Sequence, residues 1–376
     1  MMKIPVLKPL LPSNSQLIKY LEEIDQNRWY TNFGPLTQRF EKRLASLFMV
    51  EPTNVVTISN GTDALAIGLK SFNCNSRKKY CIMPSWTFSA TPSAAMMAGL
   101  EPIFCDVEKT NWTVNSELVY KTIKELNLNI DEIHSVIPVA PFGMPLNVKE
   151  WESFRSKTGI EVLIDAAASF DTVSQQENLK DSVIPVMISL HATKVFGVGE
   201  GAVLVSSDQA YILEVRKRTN FGFWGSREAQ VCGMNAKLSE YTSAVGLAEL
   251  DRWHEKRHAW ELCTKSYLFH EEELNKNGIN FIHGFGQGWI SSYGNIILKS
   301  EELKTVVSNN LKKNGVDFRD WWGGGAHLQK AFNHCRHGEL VNTSSLSSHS
   351  LGLPFYTDLR SVEIKYIVDT CLGTNK

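Results

Sequence analysis

Residues 189–206, SLHATKVFGVGEGAVLVS, place a single lysine, Lys194, between an apolar β-type run and a glycine-rich turn. Lysine is rarely fully buried unless it is paired with another group. Burial disfavours the charged ammonium form, and a neutral amine is a nucleophile for aldehydes and a base for carbon acids. A second apolar run follows the glycines. The stretch therefore predicts a reactive lysine where two strands meet.

Apolar runs of the same kind recur through the first 210 residues, with helical patterns such as 62–72 and 87–98 between them. They are almost continuously apolar, which is typical of strands covered on both faces. Strands that alternate with helices predict an α/β fold with a mostly parallel sheet, and its ligands gather beyond the carboxyl ends of the strands. The runs are 54–59, 79–84, 101–107, 135–141, 160–166, 182–190 and 201–207.

The pattern changes after about residue 235. Residues 237–274 have apolar positions at helical spacing and predict one or two long helices. A segment around 288–298, a helix over 300–315 and an amphipathic stretch at 361–371 follow. We therefore expect a large domain over 1–245, which includes the N-terminal segment, and a small α+β domain over 246–376.

The composition of the 376-residue chain is that of an ordinary globular protein, with 43% hydrophobic and 21% charged residues. The net charge of −1 does not favour nucleic acid or an anionic membrane as a partner. Seven scattered cysteines without paired spacing indicate a reducing compartment. The opening stretch, MMKIPVLKPLLPSNS, is too short and proline-broken for a signal peptide, so a cytoplasmic location is expected.

A candidate phosphate site lies in residues 55–72, where a strand is followed by Asn60, Gly61 and Thr62 and then by a helix. The first N–H groups of a helix lack internal partners and carry a partial positive charge, and glycine allows an anion to approach the backbone. An ordinary helix start explains the same residues, since Asn and Thr are good N-caps.

Two further strand ends carry candidate side chains. Trp86 follows a strand and is interpreted either as a platform for a flat ring or as a core residue. Asp165 closes an apolar strand, where a carboxylate needs a partner or a shifted pKa. A protonated ring nitrogen or the N-terminus of the next helix would each satisfy it.

These four features together match the requirements of pyridoxal 5′-phosphate (PLP). That cofactor needs a lysine, an acid that faces its ring nitrogen, an aromatic platform and a phosphate site. A chance occurrence of all four features at separate strand ends is far less expected than a chance occurrence of any one of them. The sequence therefore predicts a PLP enzyme.

The chain also resembles a known family, the DegT-type (StrS-like) nucleotide-sugar aminotransferases. The similarity extends from residues 28–45 to residues 351–356 and implies the PLP-dependent transferase fold type I, with a mostly parallel seven-stranded sheet in its large domain. The motifs that carry it are SNGTDAL (59–65), PSWTFSAT (84–91), IDAA (164–167), SLHATKVFGVGEG (189–201) and GMNAKLSEYTSAVGLAEL (233–250).

The resemblance implies a role for each matching position. Lys194 would form the Schiff base with the cofactor, and Asp165 would pair with the pyridine nitrogen. Asn235 would reach the phosphate of a neighbouring subunit, so a homodimer with shared active sites is expected. The other implied cofactor contacts are ring stacking by Trp86 and phosphate binding by Gly61, Thr62 and Ser189.

One position departs from the family. Gln or His usually stands three residues after the aspartate, near the cofactor's phenolic oxygen, and this chain has Ala168 there. The variant motif DAAASFD (165–171) is most similar to the corresponding motif of enzymes that act on dTDP-linked 4-keto-6-deoxyhexoses. Those enzymes form dTDP-4-amino-4,6-dideoxy-D-glucose.

The predicted activity is transfer of an amino group from L-glutamate to such a dTDP-keto sugar, for O-antigen or related sugar biosynthesis. Two alternatives stay open, a C3 aminotransferase of a dTDP-3-keto-6-deoxyhexose and a PLP-holding regulatory protein without turnover. No metal is expected. Candidate substrate contacts are Tyr30 and Phe33 in the N-terminal segment and Arg319 and His327 in the small domain, where packing explains the arginine equally well.

Overall fold

The strands of the large sheet end at the same edge because all but one of them run in the same direction. The computed structural model describes residues 3–74, 77–145, 147–175 and 181–374. The sheet order is β3, β2, β4, β5 with β6, β7, β8 and β1, and only β8 is antiparallel to its neighbours. The strands are β1 (Val55–Ile58), β2 (Tyr80–Pro84), β3 (Glu101–Cys105), β4 (Ile133–Val136), β5 (Glu161–Val162), β6 (Ile164–Asp165), β7 (Val186–Ser189) and β8 (Ala202–Val205).

The two short strands β5 and β6 act as one strand in the middle of this sheet. Only Leu163 separates them, and its N–H donates to the carbonyl of Val136 at 3.1 Å. The N–H of Asp165 donates to the carbonyl of Pro138 at 2.9 Å. The predicted mostly parallel seven-stranded sheet, typical of fold type I, is therefore confirmed.

Both faces of the sheet are covered, which explains the continuous apolar runs. Neighbouring residues of one strand pack into two separate hydrophobic cores, one on each face of the sheet. Val55 and Ile82 belong to one core, and Val56 and Cys81 belong to the other. The helices of the first 220 residues are α1 (Asn14–Asn27), α2 (Pro35–Leu47), α3 (Gly61–Lys70), α4 (Ala90–Met97), α5 (Ser116–Glu125), α6 (Val148–Thr158), α7 (Phe170–Ser174) and α8 (Gln209–Thr219).

The C-terminal part contains an antiparallel sheet in the order β12, β10, β9. The predicted long helical stretch over 237–274 is three helices, because the helical backbone breaks at Arg252 and again before Glu271. The elements are α9 (Glu240–Asp251), α10 (Trp253–Leu268), α11 (Glu271–Lys276), β9 (Ile279–Phe281), β10 (Gly294–Leu298), α12 (Glu301–Lys313), β11 (Arg336–His337), α13 (Val341–His349), β12 (Ser350–Leu353) and α14 (Ser361–Leu372).

Backbone pairing crosses the predicted domain boundary in both directions. Ile4 pairs with Val316, and the N–H of Phe355 donates to the carbonyl of Val6 at 3.0 Å. Strand β11 extends the large sheet beside β3, and residue 245 lies inside α9. The division into 1–245 and 246–376 stays a prediction.

None of the helices in the described ranges is both long and apolar enough to cross a membrane.

A buried histidine at the amino end of β4 makes the fold sensitive to acid. His134 is 8% exposed, and its Nδ1 lies 3.0 Å from Ser135 Oγ. Burial, with a smaller effect of the charge on Lys78, lowers the pKa of His134 from 6.5 to about 4, while Glu161 opposes the shift. Between these pH values the unfolded chain binds a proton that the folded protein does not bind, so stability is lost as pH falls.

We expect His134 to account for a loss of about 3 kcal/mol in the free energy of unfolding between pH 7 and pH 4. Urea unfolding of the wild type and of His134→Gln at both pH values measures this loss. The difference between the two proteins isolates the histidine, because the carboxyl groups titrate equally in both. An identical pH dependence of the two proteins would contradict the assignment.

Candidate active site

Asp165 lies buried at the carboxyl end of β6, with 5% of its surface exposed. Its Oδ2 accepts a hydrogen bond from Thr91 Oγ1 at 2.8 Å, and its Oδ1 accepts one from the N–H of Ala167 at 3.1 Å. Burial raises the pKa of Asp165, while these two donors and the positive charge of Lys194 oppose the rise. A cationic N–H facing this carboxylate would stabilise its charged form further.

Lys194 lies in the loop between β7 and β8, at the same edge of the sheet. Its side chain is half-buried rather than fully buried, and its Nζ donates to Tyr293 Oη at 2.9 Å. The next residue fixes the loop, since Val195 O accepts a hydrogen bond from Trp260 Nε1 at 3.2 Å. The lysine is therefore presented at the strand edge by a loop tied to α10.

Gly61 and Ser189 come together where β1 and β7 end. A Cβ atom on Gly61 would lie 3.6 Å from Ser189 Oγ, and Gly61 is the first residue of α3. Thr62 is partly exposed beside them. Asn60 caps the helix by accepting from the N–H of Asp63 at 2.9 Å. A serine hydroxyl beside the N-terminus of a ten-residue helix can bind a phosphate.

Trp86 lies in the core, which agrees with the second of its two interpretations. Trp86 is 1% exposed, and its ring packs edge-on against Trp112 and Trp322 at centroid distances of 6.3 and 5.5 Å. A platform needs an open ring face, and burial leaves this ring none. Two residues later, Phe88 is 62% exposed, and its carbonyl accepts from the N–H of Thr91, which contacts Asp165. Phe88 is the aromatic ring that this strand end leaves accessible.

Asn235 is exposed, and its Oδ1 accepts a hydrogen bond from Lys237 Nζ at 2.7 Å. The neighbouring carbonyl of Ala236 accepts from the N–H of Ser59 at 2.8 Å, next to the start of α3. The loop therefore borders the candidate phosphate site. The role of Asn235 toward a second subunit stays a prediction.

Of the small-domain substrate candidates, His327 reaches the end of β2 and Arg319 does not. His327 Nδ1 lies 2.7 Å from Ser85 Oγ, and burial together with the charge of nearby His337 lowers its pKa. Arg319 pairs through its backbone with Gly352, and the residue is exposed.

The two N-terminal substrate candidates also differ. Tyr30 is 46% exposed and stacks on Tyr241 at 6.2 Å. Phe33 has a positive φ of 55°, and Arg216 lies over its ring at 5.3 Å. Each ring therefore has one face covered by a neighbouring side chain, and Tyr30 is the more exposed of the two.

Sequence reasoning missed Tyr293, the hydrogen-bond partner of Lys194. It lies just before β10, 99 residues beyond the lysine in the chain. The motif SSYG around it has no spacing that marks a site. Only the packing of the C-terminal part against the large sheet brings its hydroxyl to Lys194.

Residues 13–372 match the DegT/DnrJ/EryC1/StrS aminotransferase family. Over 97% of the chain, it is 29% identical to Protein Mb3436c of Mycobacterium bovis, covering 89% of that protein. It is 26% identical to the dTDP-4-amino-4,6-dideoxy-D-glucose transaminase of Shigella dysenteriae, with 97% of each chain covered.

Two solved structures are similar in fold. One, assigned as a PLP-dependent aminotransferase from Bacillus cereus, is 29% identical with a TM-score of 0.90, and 99% of this chain and 100% of that chain are covered. The other, DesI in the presence of its TDP-sugar product, is 24% identical with a TM-score of 0.86, with 100% and 94% covered.

Proposed function

Because this chain belongs to the DegT/DnrJ/EryC1/StrS aminotransferase family and is a PLP-dependent aminotransferase, we propose that it moves an amino group from L-glutamate to a dTDP-linked 4-keto-6-deoxyhexose. The product would be dTDP-4-amino-4,6-dideoxy-D-glucose, a precursor for O-antigen or a related glycan. Similarity to the Shigella dysenteriae transaminase over 97% of both chains supports this choice of sugar.

The single observation that carries the proposed mechanism is the buried Asp165 carboxylate at the same sheet edge as Lys194. PLP, when bound, withdraws electrons through its protonated ring from the substrate carbon that loses a proton. We assign to Asp165 the role of keeping the ring nitrogen protonated, because a buried carboxylate without a facing cation is costly. Lys194 is placed to carry the proton to and from the substrate carbon.

The remaining groups bind and orient the cofactor. We assign phosphate binding to the N-terminus of α3 with Gly61, Thr62 and Ser189, whose hydroxyl borders that helix start. We assign ring stacking to Phe88 on the basis of its exposed side chain beside Thr91. The shared-site homodimer, in which Asn235 would complete the phosphate site of the partner, is part of the same proposal.

Replacement of Asp165 by asparagine tests the central assignment. The amide keeps the hydrogen bond from Thr91 but loses the negative charge, so we expect kcat to fall on the order of 10²-fold. Stopped-flow measurement of the glutamate half-reaction alone locates the loss in proton removal. Unchanged half-reaction rates in Asp165→Asn would contradict the assignment.

The substrate is tested by incubation with L-glutamate and a panel of dTDP- and UDP-linked keto sugars, followed by NMR of the product. We expect an amine at C4 of a dTDP sugar. An amine at C3, or turnover only of a UDP sugar, would overturn the substrate assignment. Absence of any reaction with glutamate would favour a protein that holds PLP without turnover.

A further inference from the structure

The hydroxyl proton of Tyr293 is not donated to any hydrogen bond in the described part of the chain. It accepts a hydrogen bond from Lys194 Nζ at 2.9 Å, and a phenol hydroxyl can donate one bond while it accepts another. Within residues 3–74, 77–145, 147–175 and 181–374, no acceptor receives that proton. The residue is 7% exposed, so water does not readily replace the missing acceptor. A buried donor beside the candidate catalytic lysine is therefore left for a ligand atom.

The ring that carries this hydroxyl is held in one orientation. Phe142 and Trp321 meet it edge-on, at centroid distances of 5.3 and 5.1 Å. The N–H of Tyr293 donates to Ser291 Oγ at 3.0 Å, and that hydroxyl donates to the carbonyl of Phe142 at 2.7 Å. The hydroxyl is thus fixed by contacts to both the large sheet's loops and the C-terminal part, as a preorganised donor requires.

The segment that precedes Tyr293 borders the position where this chain departs from its family. Position 168 is alanine, so it offers no side-chain hydrogen bond. A Cβ atom on Gly143 would lie 3.1 Å from Ala168 O and 3.4 Å from Ile290 O, which shows that the three segments converge. The segment that leads to Tyr293 therefore passes close to the backbone of residue 168.

The chemistry of PLP connects the two observations. Its phenolic oxygen is carried by the ring carbon next to the one that bears the aldehyde, so this oxygen lies beside the nitrogen of a lysine joined to that aldehyde. A hydroxyl that is hydrogen-bonded to Lys194 Nζ would therefore lie close to the same oxygen when the cofactor is bound. We propose that Tyr293 donates to the cofactor's phenolic oxygen the hydrogen bond that residue 168 cannot supply, an inference that rests on the proposed role of Lys194.

A donor at this oxygen changes the titration of the bound cofactor in a defined direction. When the proton shared between the lysine nitrogen and the phenolic oxygen leaves, the oxygen keeps its negative charge. Tyr293 stabilises that deprotonated form, so it lowers the pH at which the visible absorbance changes. Its removal raises this pH.

We expect the midpoint of the absorbance titration to rise by about one pH unit in Tyr293→Phe. Tyr267→Phe is the matched control, because its buried hydroxyl donates to Pro354 O at 2.6 Å, away from the lysine. That control keeps the wild-type midpoint. The double variant Ala168→Gln/Tyr293→Phe, which restores a donor at position 168, brings the midpoint back toward the wild type.

A cofactor analogue separates this role from a merely structural one. Tyr293→Phe is expected to weaken equilibrium binding of PLP about tenfold and to leave binding of 3-deoxypyridoxal 5′-phosphate, which lacks the phenolic oxygen, unchanged. Equal weakening of both ligands, or an unchanged midpoint, would overturn the proposal. Borohydride fixation of PLP to Lys194 in the same samples distinguishes this failure from failure of the lysine assignment.

Discussion

Replacement of Lys194 by alanine is expected to lower kcat for transamination by about 10⁴-fold, because the variant loses the side chain that we propose as both nucleophile and proton carrier. No other lysine forms a hydrogen bond with Tyr293 among the described residues, so no neighbour is placed to substitute for it. Steady-state assay with glutamate and the accepted keto sugar measures the loss. Borohydride reduction followed by peptide mapping measures the covalent attachment of PLP in parallel.

Lys42→Ala is the control for this experiment, since Lys42 is exposed on α2 outside the candidate site. It should retain wild-type turnover and borohydride labelling at residue 194. Full activity of Lys194→Ala, or labelling at a different lysine of the wild type, would overturn the mechanism. It would leave the family membership of the chain untouched.

Replacement of Lys256 by methionine is expected to reduce the free energy of unfolding by about 3–5 kcal/mol at pH 7. The side chains of Lys256 and Glu249 form an ion pair and are 3% and 0% exposed. Burial raises the pKa of Glu249 and lowers the pKa of Lys256, although each partner opposes the shift of the other. Loss of the lysine leaves a buried carboxylate without its main partner, which costs more than the pair contributes.

The double variant Glu249→Gln/Lys256→Met separates the uncompensated charge from the loss of packing. It removes both charges and should recover most of the stability in urea unfolding. Lys276→Met is the exposed control, since it breaks an ion pair with Glu272 on the surface of α11, and little change is expected. Equal destabilisation of the single and double Lys256 variants would contradict the argument.

This ion pair also reaches the site through the backbone. Lys256 Nζ donates to the carbonyl of Leu10 at 3.1 Å, and the N–H of Gly197 faces the Glu249 carboxylate. Gly197 lies three residues after Lys194. The pair thus ties the N-terminal segment and the lysine loop to α9 and α10, so its loss should also weaken PLP binding.

The local sequence predicted the elements whose patterns are continuous and self-contained. The apolar run at 182–190 indicated β7, and the helical pattern at 300–315 indicated α12, because residue spacing alone defines a strand or a helix. It left open whether Trp86 is buried and did not single out Phe88 as exposed, since both follow the same strand within four residues. Which of two adjacent rings faces solvent depends on the packing of Trp112 and Trp322 against the strand end.

The sequence by itself determined the order of strands and helices, the lysine and aspartate at strand ends, and the family, because these properties are written in neighbouring residues. Only the tertiary structure decided that the Tyr293 hydroxyl accepts a hydrogen bond from Lys194 and that Glu249 pairs with Lys256 in the core. Such contacts depend on how the C-terminal part packs on the large sheet. Residues that are far apart in the chain have no local spacing pattern from which their contact could be predicted.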